Sequence, residues 1–123
     1  MDLRELYDQI GGSYDEAIGR LRTESLVGTF VVRFAADASI PNLLDAWSRG
    51  DEQAAFEFAH AAKGVCQNLA LTSLGEPASA ICEALRPGND DLRAATDVDA
   101  RIGELRDAYG RAIDAINAFE RGR

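Results

Sequence analysis

Apolar residues recur every three or four positions along most of this chain, which is the spacing of one buried face of an α-helix. The first stripe covers residues 3–10 and ends at Gly11-Gly12, where glycine favours a helix stop. A longer stripe runs through residues 14–34, but it is interrupted over residues 22–25, where we expect the helix to lose regularity. The pattern therefore favours helix from the beginning of the chain.

The middle of the chain predicts a short helix and then a long one. A connection over residues 36–41 leads to a short helix that ends at Arg49-Gly50. From residue 52 to about residue 71 the sequence has no proline and one internal glycine, so we predict a central long helix there. Asp51 is the expected N-cap of this helix.

Two further helices complete the pattern. Ser73 and Glu76 have the spacing of a capping box, so a helix should begin there and stop at residues 86–88. The last helix is predicted from about residue 97 to residue 119, because its apolar stripe continues over that whole segment.

These helices, joined by short loops and without strand alternation, predict an all-α fold. We expect an antiparallel up-down bundle of four long helices, with the short helices in the N-terminal half, over residues 3–10 and 41–49, packed against it as additions. A chain of 123 residues with 46% hydrophobic content suits a single domain, residues 1–123, with one core.

The charge of the chain limits its partners. There are 21 acidic residues against 13 basic ones, and the formal net charge of −8 opposes binding to nucleic acid or to an anionic membrane surface. Twelve of the basic residues are arginines spread along the chain, so there is no basic stripe for nucleic acid. We therefore expect protein partners, and a monomer is the simplest state for a domain that presents one helix face.

The cysteines and the termini indicate an ordinary reducing environment. Cys66 and Cys82 do not have the spacing of a zinc site, and a single histidine leaves too few soft ligands, so we expect buried thiols and no metal. The N-terminal segment lacks the apolar core of a signal peptide, and no apolar run approaches the length of a membrane span. These features predict a cytoplasmic protein.

The chain has one histidine and one lysine, His60 and Lys63, and Gly64 follows the lysine directly. Residues three or four apart share a helix face, so an imidazole, an ammonium and a bare patch of backbone should lie side by side. A neutral imidazole nitrogen is a good nucleophile near pH 7, and an ammonium can balance the charge of an arriving anion. The combination indicates phosphoryl chemistry on histidine.

A helical-wheel count at about 100° per residue puts His60 on the solvent side of the central helix. The apolar positions on the far side, expected to face the core, are Ala55, Phe58, Ala62, Val65, Cys66 and Leu69. The positions within about 60° of His60 are Gln53, Phe56, Glu57, Lys63, Gly64 and Gln67. Gly64 costs a helix interior about 1 kcal/mol relative to alanine, so we expect another protein to approach closely there.

The run from His60 to Ala70 resembles the motif of histidine phosphotransfer (HPt) domains, which is His-x-x-Lys-Gly followed by small residues and Asn-Leu-Gly. Residues 3–12 are similar to the leading Leu-Tyr-x-x-Ile-Gly-Gly segment of stand-alone bacterial members, and residues 42–59 and 74–85 fit the flanking helices. The resemblance therefore covers nearly the whole chain. Three positions depart from the usual motif, and they are Ala62, Gln67 and Ala70.

The resemblance implies a phosphoryl carrier and not an enzyme with its own kinase activity. His60 would accept a phosphoryl group from an aspartyl phosphate on a response-regulator receiver domain and pass it to another receiver, and a hybrid histidine kinase is a further partner of this class. Lys63 would stabilise phosphohistidine by its charge, and Gln67 could hydrogen-bond either the phosphoryl group or the imidazole. The receiver would bring Mg²⁺, so the chain needs no cofactor of its own. The docking residues would be Gln53, Phe56, Glu57 and Gly64.

Other interpretations remain open from the sequence. Glu57 could accept a hydrogen bond from Nδ1 of His60, although an ordinary solvated helix charge is the stronger interpretation. The chain could be a non-catalytic scaffold that binds a receiver on the same bundle. A hydrolase or transferase with His60 as general base is weakly supported, because we expect no serine or cysteine nucleophile on the His60 face. The absence of a glycine-rich nucleotide loop excludes an autophosphorylating kinase.

Overall fold

Eight α-helices follow one another in residues 1–122, the range that our computed structural model describes. They are α1 (Leu3–Ile10), α2 (Tyr14–Leu21), α3 (Glu24–Phe34), α4 (Ser39–Ser48), α5 (Glu52–Asn68), α6 (Thr72–Leu85), α7 (Asp90–Ala95) and α8 (Val98–Arg121). The same range contains no strand, which confirms the all-α fold class. The predicted domain, residues 1–123, extends one residue beyond this range.

Polar side chains define where five of the helices begin, because each accepts a hydrogen bond from a backbone N–H in the first turn. These N-caps are Asp2, Ser13, Thr23, Asp51 and Asp97. Asp51 is the N-cap predicted for the central helix, and its carboxylate accepts from the N–H of Ala54 at 3.1 Å. The central helix, α5, ends at Asn68, slightly earlier than the sequence predicts.

The capping box predicted at the start of α6 is wrong. α6 begins at Thr72, and the Ser73 hydroxyl donates to the carbonyl oxygen of Ile10 instead of capping its own helix. α6 then ends at Leu85, where the Arg-Pro-Gly sequence predicted a stop. The short helix α7, whose residues are all at least partly exposed, has no counterpart in the apolar pattern.

The irregularity expected over residues 22–25 is a complete break between α2 and α3. Arg22 has a φ of 79°, in the region that favours glycine, and its N–H bonds to the carbonyl of Ile18 at 2.8 Å. Thr23 then caps α3 through its hydroxyl. Two short helices therefore replace the single long helix that the stripe over residues 14–34 suggested.

The turn between α1 and α2 docks on the turn between α5 and α6. The Ser13 N–H donates to the carbonyl of Ala70 at 3.0 Å, and the Ser73 N–H donates to the carbonyl of Gly11 at 3.1 Å. Gly11 ends α1 with a φ of 81°, a conformation that glycine adopts without strain. We name this contact the glycine junction, and its members are residues 7–13 and residues 69–73.

Gly12 is packed too tightly in the glycine junction to carry a side chain. An added Cβ would lie 2.7 Å from the carbonyl oxygen of Ala70 and 2.9 Å from Cδ1 of Tyr7. Tyr7 is fully buried, and its hydroxyl donates to the carbonyl of Leu69 at 2.7 Å. Burial raises the pKa of the Tyr7 phenol, so the hydroxyl keeps the proton it donates. The junction therefore holds α1 and α2 against the C-terminal end of α5.

The helices pack around one core. α4 and α6 both pack along α5, α6 packs against α8, and α1, α3 and α4 also contact α8. The buried apolar residues belong to a single cluster. The helix that the sequence predicts near residues 41–49 is α4, which buries Ile40, Leu43 and Ala46. Within residues 1–122 we find no helix with the length and apolar character needed to cross a membrane.

Candidate functional site

The buried side of α5 is made mostly of small residues, which lets the neighbouring helices approach closely. These residues are Ala55, Ala59, Ala62 and Cys66. Phe58 and Val65, which the wheel count placed in the core stripe, are only half-buried at its edge. The buried stripe is therefore centred on the alanines, and its opposite side carries His60.

His60 is exposed, as predicted, but its ring has defined neighbours. It stacks on Phe56, with the ring centroids 6.3 Å apart and the planes at 30°. The Nδ1 atom lies 3.9 Å from Sγ of Cys82 on α6. In the tautomer that carries hydrogen on Nδ1, that hydrogen points to the sulfur and the lone pair of Nε2 is left for another partner.

Glu57 does not orient the imidazole. Its carboxylate accepts a hydrogen bond from the side-chain amide of Gln53 at 3.2 Å, and both side chains are exposed. Because Nδ1 of His60 faces Cys82, the hydrogen bond to Glu57 that the sequence left open is not formed. Glu57 and Gln53 form an exposed polar pair one helical turn before His60, which agrees with the interpretation of Glu57 as a solvated charge.

Lys63 belongs to an ion cluster with two residues of α6. Its Nζ lies 3.0 Å from Oε1 of Glu83, and Arg86 donates to the same carboxylate through Nε at 3.1 Å and Nη2 at 3.0 Å. The hydrogen bonds from Arg86 and then from Lys63 lower the pKa of Glu83 to about 2, so this carboxylate is ionised near neutral pH. Lys63 is therefore held in place by Glu83, and its side chain is only partly exposed.

Arg86 connects this ion cluster to the imidazole. Its guanidinium lies 5.4 Å from the centre of the Phe56 ring, and its Nη2 lies 3.8 Å from Sγ of Cys82. Phe56 is thus covered by His60 on one side and approached by Arg86, and it is half-buried. The imidazole, the aromatic ring and the guanidinium form one continuous patch on the surface formed by α5 and α6.

Gly64 opens the other flank of His60. An added Cβ would meet no atom of residues 1–122 within 4 Å, so no packing contact in that range requires a glycine at this position of α5. His60, Gly64 and Gln67 line one shallow, open depression, which Arg20 of α2 also lines. The bare backbone of Gly64 therefore faces solvent beside the imidazole, where a partner could approach.

Both cysteines are buried free thiols, as predicted, but the sequence did not place one of them at the site. Burial raises the pKa of Cys66 to about 12, and burial also raises the pKa of Cys82. Cys82 reaches the imidazole from α6, a contact that the spacing along α5 does not reveal. A nucleophilic cysteine needs a lowered pKa and access to substrate, so the buried Cys82 does not favour a hydrolase.

Ala70 is one of the three departures from the HPt motif, and its backbone conformation shows where the substitution has its effect. Its φ of 54° lies in the left-handed region, which costs a non-glycine residue about 1–2 kcal/mol. The motif often has glycine at this position, and here an alanine adopts a left-handed conformation while its carbonyl accepts the Ser13 N–H in the glycine junction. The substitution therefore affects the end of α5 and leaves His60 unchanged.

Four residues at the site were not predicted from the sequence, because nothing in the sequence pattern indicates that they lie near His60. They are Arg20, Cys82, Glu83 and Arg86. The i, i+3 and i, i+4 spacing of the last three places them on one face of α6, but the pattern does not say which helix that face meets. The position of Arg20 beside His60 cannot be predicted from local sequence, because it is set by the glycine junction, which places α2 through contacts between distant parts of the chain.

The site thus combines an exposed imidazole, two cations that share one carboxylate, and an open backbone patch. An arrangement of this kind can bind an anionic group and form a bond to it through Nε2. No known protein family, curated protein or solved structure matches this chain. The inference of function therefore depends on the residues around His60.

Proposed function

We propose that this protein is a histidine phosphotransfer protein of a two-component phosphorelay. His60 would accept a phosphoryl group from the aspartyl phosphate of a receiver domain and pass it to another receiver. The observation that carries the proposal is the exposed His60 ring with its Nδ1 facing Cys82, beside the open backbone of Gly64. This arrangement suits an attacking nitrogen that must meet another protein's active site.

The same proposal includes an up-down four-helix bundle made of α4, α5, α6 and α8. The packing of α4 and α6 along α5, and of α8 against α6 and α4, supports this arrangement. The connections from α4 to α5 and from α5 to α6 are short, as in antiparallel neighbours. α1, α2 and α3 would be the additional helices. This differs from the sequence-based expectation, in which residues 14–34 formed a bundle helix and residues 41–49 an addition, because the break at Arg22 divides residues 14–34 into two short helices while α4 packs along α5.

The transfer step is chemically simple on the side of this protein. The lone pair of Nε2 attacks phosphorus, the bond from phosphorus to the receiver's aspartate oxygen breaks, and the carboxylate remains on the receiver. In the tautomer that carries hydrogen on Nδ1, that hydrogen points to Sγ of Cys82, and this contact would keep the ring in one orientation while Nε2 reacts. Mg²⁺ and a receiver lysine would balance charge from the other side.

Lys63 and Arg86 would supply the cationic edge for the phosphoryl group. Both now share Glu83, and an arriving dianion would compete with that carboxylate for them. Gln67 would hydrogen-bond the phosphoryl group from the opposite edge, as it lines the same depression as His60. Phe56 and Gly64 would contact the receiver, with Gln53 and Glu57 at the rim.

The proposed protein is a carrier without autokinase activity, so it must receive its phosphoryl group from a partner. The test is to mix it with phosphorylated receiver domains from the same organism and follow radiolabelled phosphate. We expect at least one receiver to transfer label to this chain, giving the acid-labile and base-stable adduct of phosphohistidine. Failure with every receiver while binding persists would instead favour the non-catalytic scaffold that binds a receiver.

Replacing Gly64 tests whether the open backbone is a docking point. A Gly64→Gln variant is expected to slow transfer from the receiver by about 10–100-fold, because a side chain there displaces the receiver from the attacking nitrogen. Its free energy of unfolding should rise slightly, since glycine is a poor helix former and the space is open. Gly110 on α8 is also exposed with open space around it, so Gly110→Gln is the matched control. Equal transfer rates for the two variants would contradict the docking role.

A further inference from the structure

Among the residues that the structure describes, Arg20 is the one outside α5 that lines the depression around His60. It lies in the last turn of α2, which ends at the break formed by Arg22. α2 is held on the C-terminal end of α5 by the Ser13 to Ala70 hydrogen bond of the glycine junction, and its Ala17 is fully buried. The Cα atom of Arg20 is therefore held in a fixed position relative to His60, although the two residues are 40 positions apart in the sequence.

The guanidinium of Arg20 is free to change partners. Its Nη2 lies 3.2 Å from Oε1 of Glu16, one turn earlier on α2, and both side chains are about half exposed, at 47% and 50%. An exposed i, i+4 pair of this kind contributes little to stability and is easily broken. A dianion on His60 would be a stronger partner for the guanidinium than a solvated carboxylate, because arginine binds phosphate through two parallel hydrogen bonds.

The charges around His60 leave room for such a cation. On the α6 side, Lys63 and Arg86 are both engaged by Glu83, and Glu57 adds a negative charge on α5 itself. The flank formed by Gly64 and Gln67 has no charged side chain of α5, and this is the flank that Arg20 lines. A phosphoryl group on His60 would therefore meet Arg20 on the flank to which α5 contributes no charged side chain, and Glu16 would be its competitor for the guanidinium.

We propose that Arg20 contacts the phosphoryl group of phosphorylated His60. To make this contact, the Arg20 guanidinium would break its ion pair with Glu16. This inference rests on the proposed phosphotransfer function and deepens it, since it assigns a phosphoryl-binding residue from a helix outside the central one. α2 then has a direct part in the chemistry, and the glycine junction positions it.

The test uses phosphoramidate, a small phosphoryl donor that needs no receiver. Nε2 of His60 attacks its phosphorus, the phosphorus–nitrogen bond of the reagent breaks, and ammonia leaves. Because the chain has one histidine, the product carries a single phosphohistidine, whose phosphoryl pKa is read from a ³¹P NMR titration. A guanidinium beside the phosphoryl group favours its dianion and lowers that pKa.

In the Arg20→Ala variant the phosphoryl pKa is expected to be about 0.5 unit higher than in the unchanged protein. Arg20→Lys should show a smaller rise, and Glu16→Gln should lower the pKa, because it removes the competing partner. Arg106→Ala, which removes an exposed arginine of α8, is the matched control and should leave the pKa unchanged. Equal values for the Arg20→Ala and Arg106→Ala variants would overturn the inference, as would failure of His60 to react with phosphoramidate.

The result separates this inference from the proposed function. If Arg20→Ala leaves the phosphoryl pKa unchanged while receivers still transfer label to His60, the phosphotransfer function stands and the role of Arg20 falls. If no receiver transfers label but the pKa rises in Arg20→Ala, the anion contact stands and the phosphorelay role falls.

Discussion

A His60→Gln variant is expected to accept no label from any phosphorylated receiver. Glutamine keeps a polar side chain of similar length but has no nucleophilic nitrogen, so the covalent step cannot occur. His60 is exposed, so the free energy of unfolding should change by no more than about 0.5 kcal/mol. Binding of the variant to the receiver should persist, because the docking surface around Phe56 and Gly64 is retained. The measurement is transfer of radiolabel, with receiver binding followed by calorimetry.

The matched control is Glu57→Gln, which changes an exposed residue on the same face of α5. Glu57 bonds to Gln53 and not to His60, so this variant keeps the nucleophile. Because Glu57 lies only at the rim of the docking surface, the variant should still accept label, although its rate of transfer can be lower. Label that remains on the His60→Gln chain would show that another residue is the acceptor, and the proposed function would be wrong. Loss of label in both variants would indicate a docking defect and not the loss of an acceptor.

A Gly12→Ala variant is expected to lose about 2–3 kcal/mol of unfolding free energy, which is a large part of the stability of a domain this size. The added methyl group would lie 2.7 Å from the carbonyl oxygen of Ala70 and 2.9 Å from the ring of Tyr7. Neither neighbour can move freely, because Tyr7 is fully buried and the Ala70 carbonyl is bonded to Ser13. Urea unfolding followed by circular dichroism measures the change.

Gly110→Ala is the control for the general effect of replacing glycine by alanine. Gly110 lies within α8 with no atom near its added Cβ, so this variant should gain up to about 1 kcal/mol. The two substitutions are chemically identical and should have opposite signs. A Gly12→Ala variant as stable as the unchanged protein would mean that the glycine junction can shift to accommodate a methyl group.

Much of the secondary structure could be predicted from the apolar pattern, because each long helix buries one stripe against a common core. The apolar stripes predicted the bounds of α1, α5 and α8 to within a few residues. The helical-wheel count correctly put His60 on the exposed side of α5. The pattern failed where contacts between distant segments override local signals. Ser73 has the sequence of a helix cap, yet its hydroxyl bonds to Ile10 across the fold.

The candidate site shows the same limit. Residues on α5, such as Lys63 and Gly64, could be found by helical spacing from His60 alone. The partners from other helices could not be found in this way, because the sequence indicates only that Cys82 is a buried thiol and that Arg86 belongs to a helix stop. Only the packing of α6 on α5 brings these side chains to the imidazole, and the spacing along one helix contains no information on which neighbour it meets.

The glycine junction also has a consequence for synthesis of the chain. Tyr7 bonds to a residue 62 positions later, and the Ile10 carbonyl accepts from a residue 63 positions later. The apolar stripe of α1 therefore leaves the ribosome well before α5 and α6 exist to cover it. During translation this stripe stays uncovered until residues 69–73 have been made, so α1 joins the fold only after α5 and the start of α6 have left the ribosome.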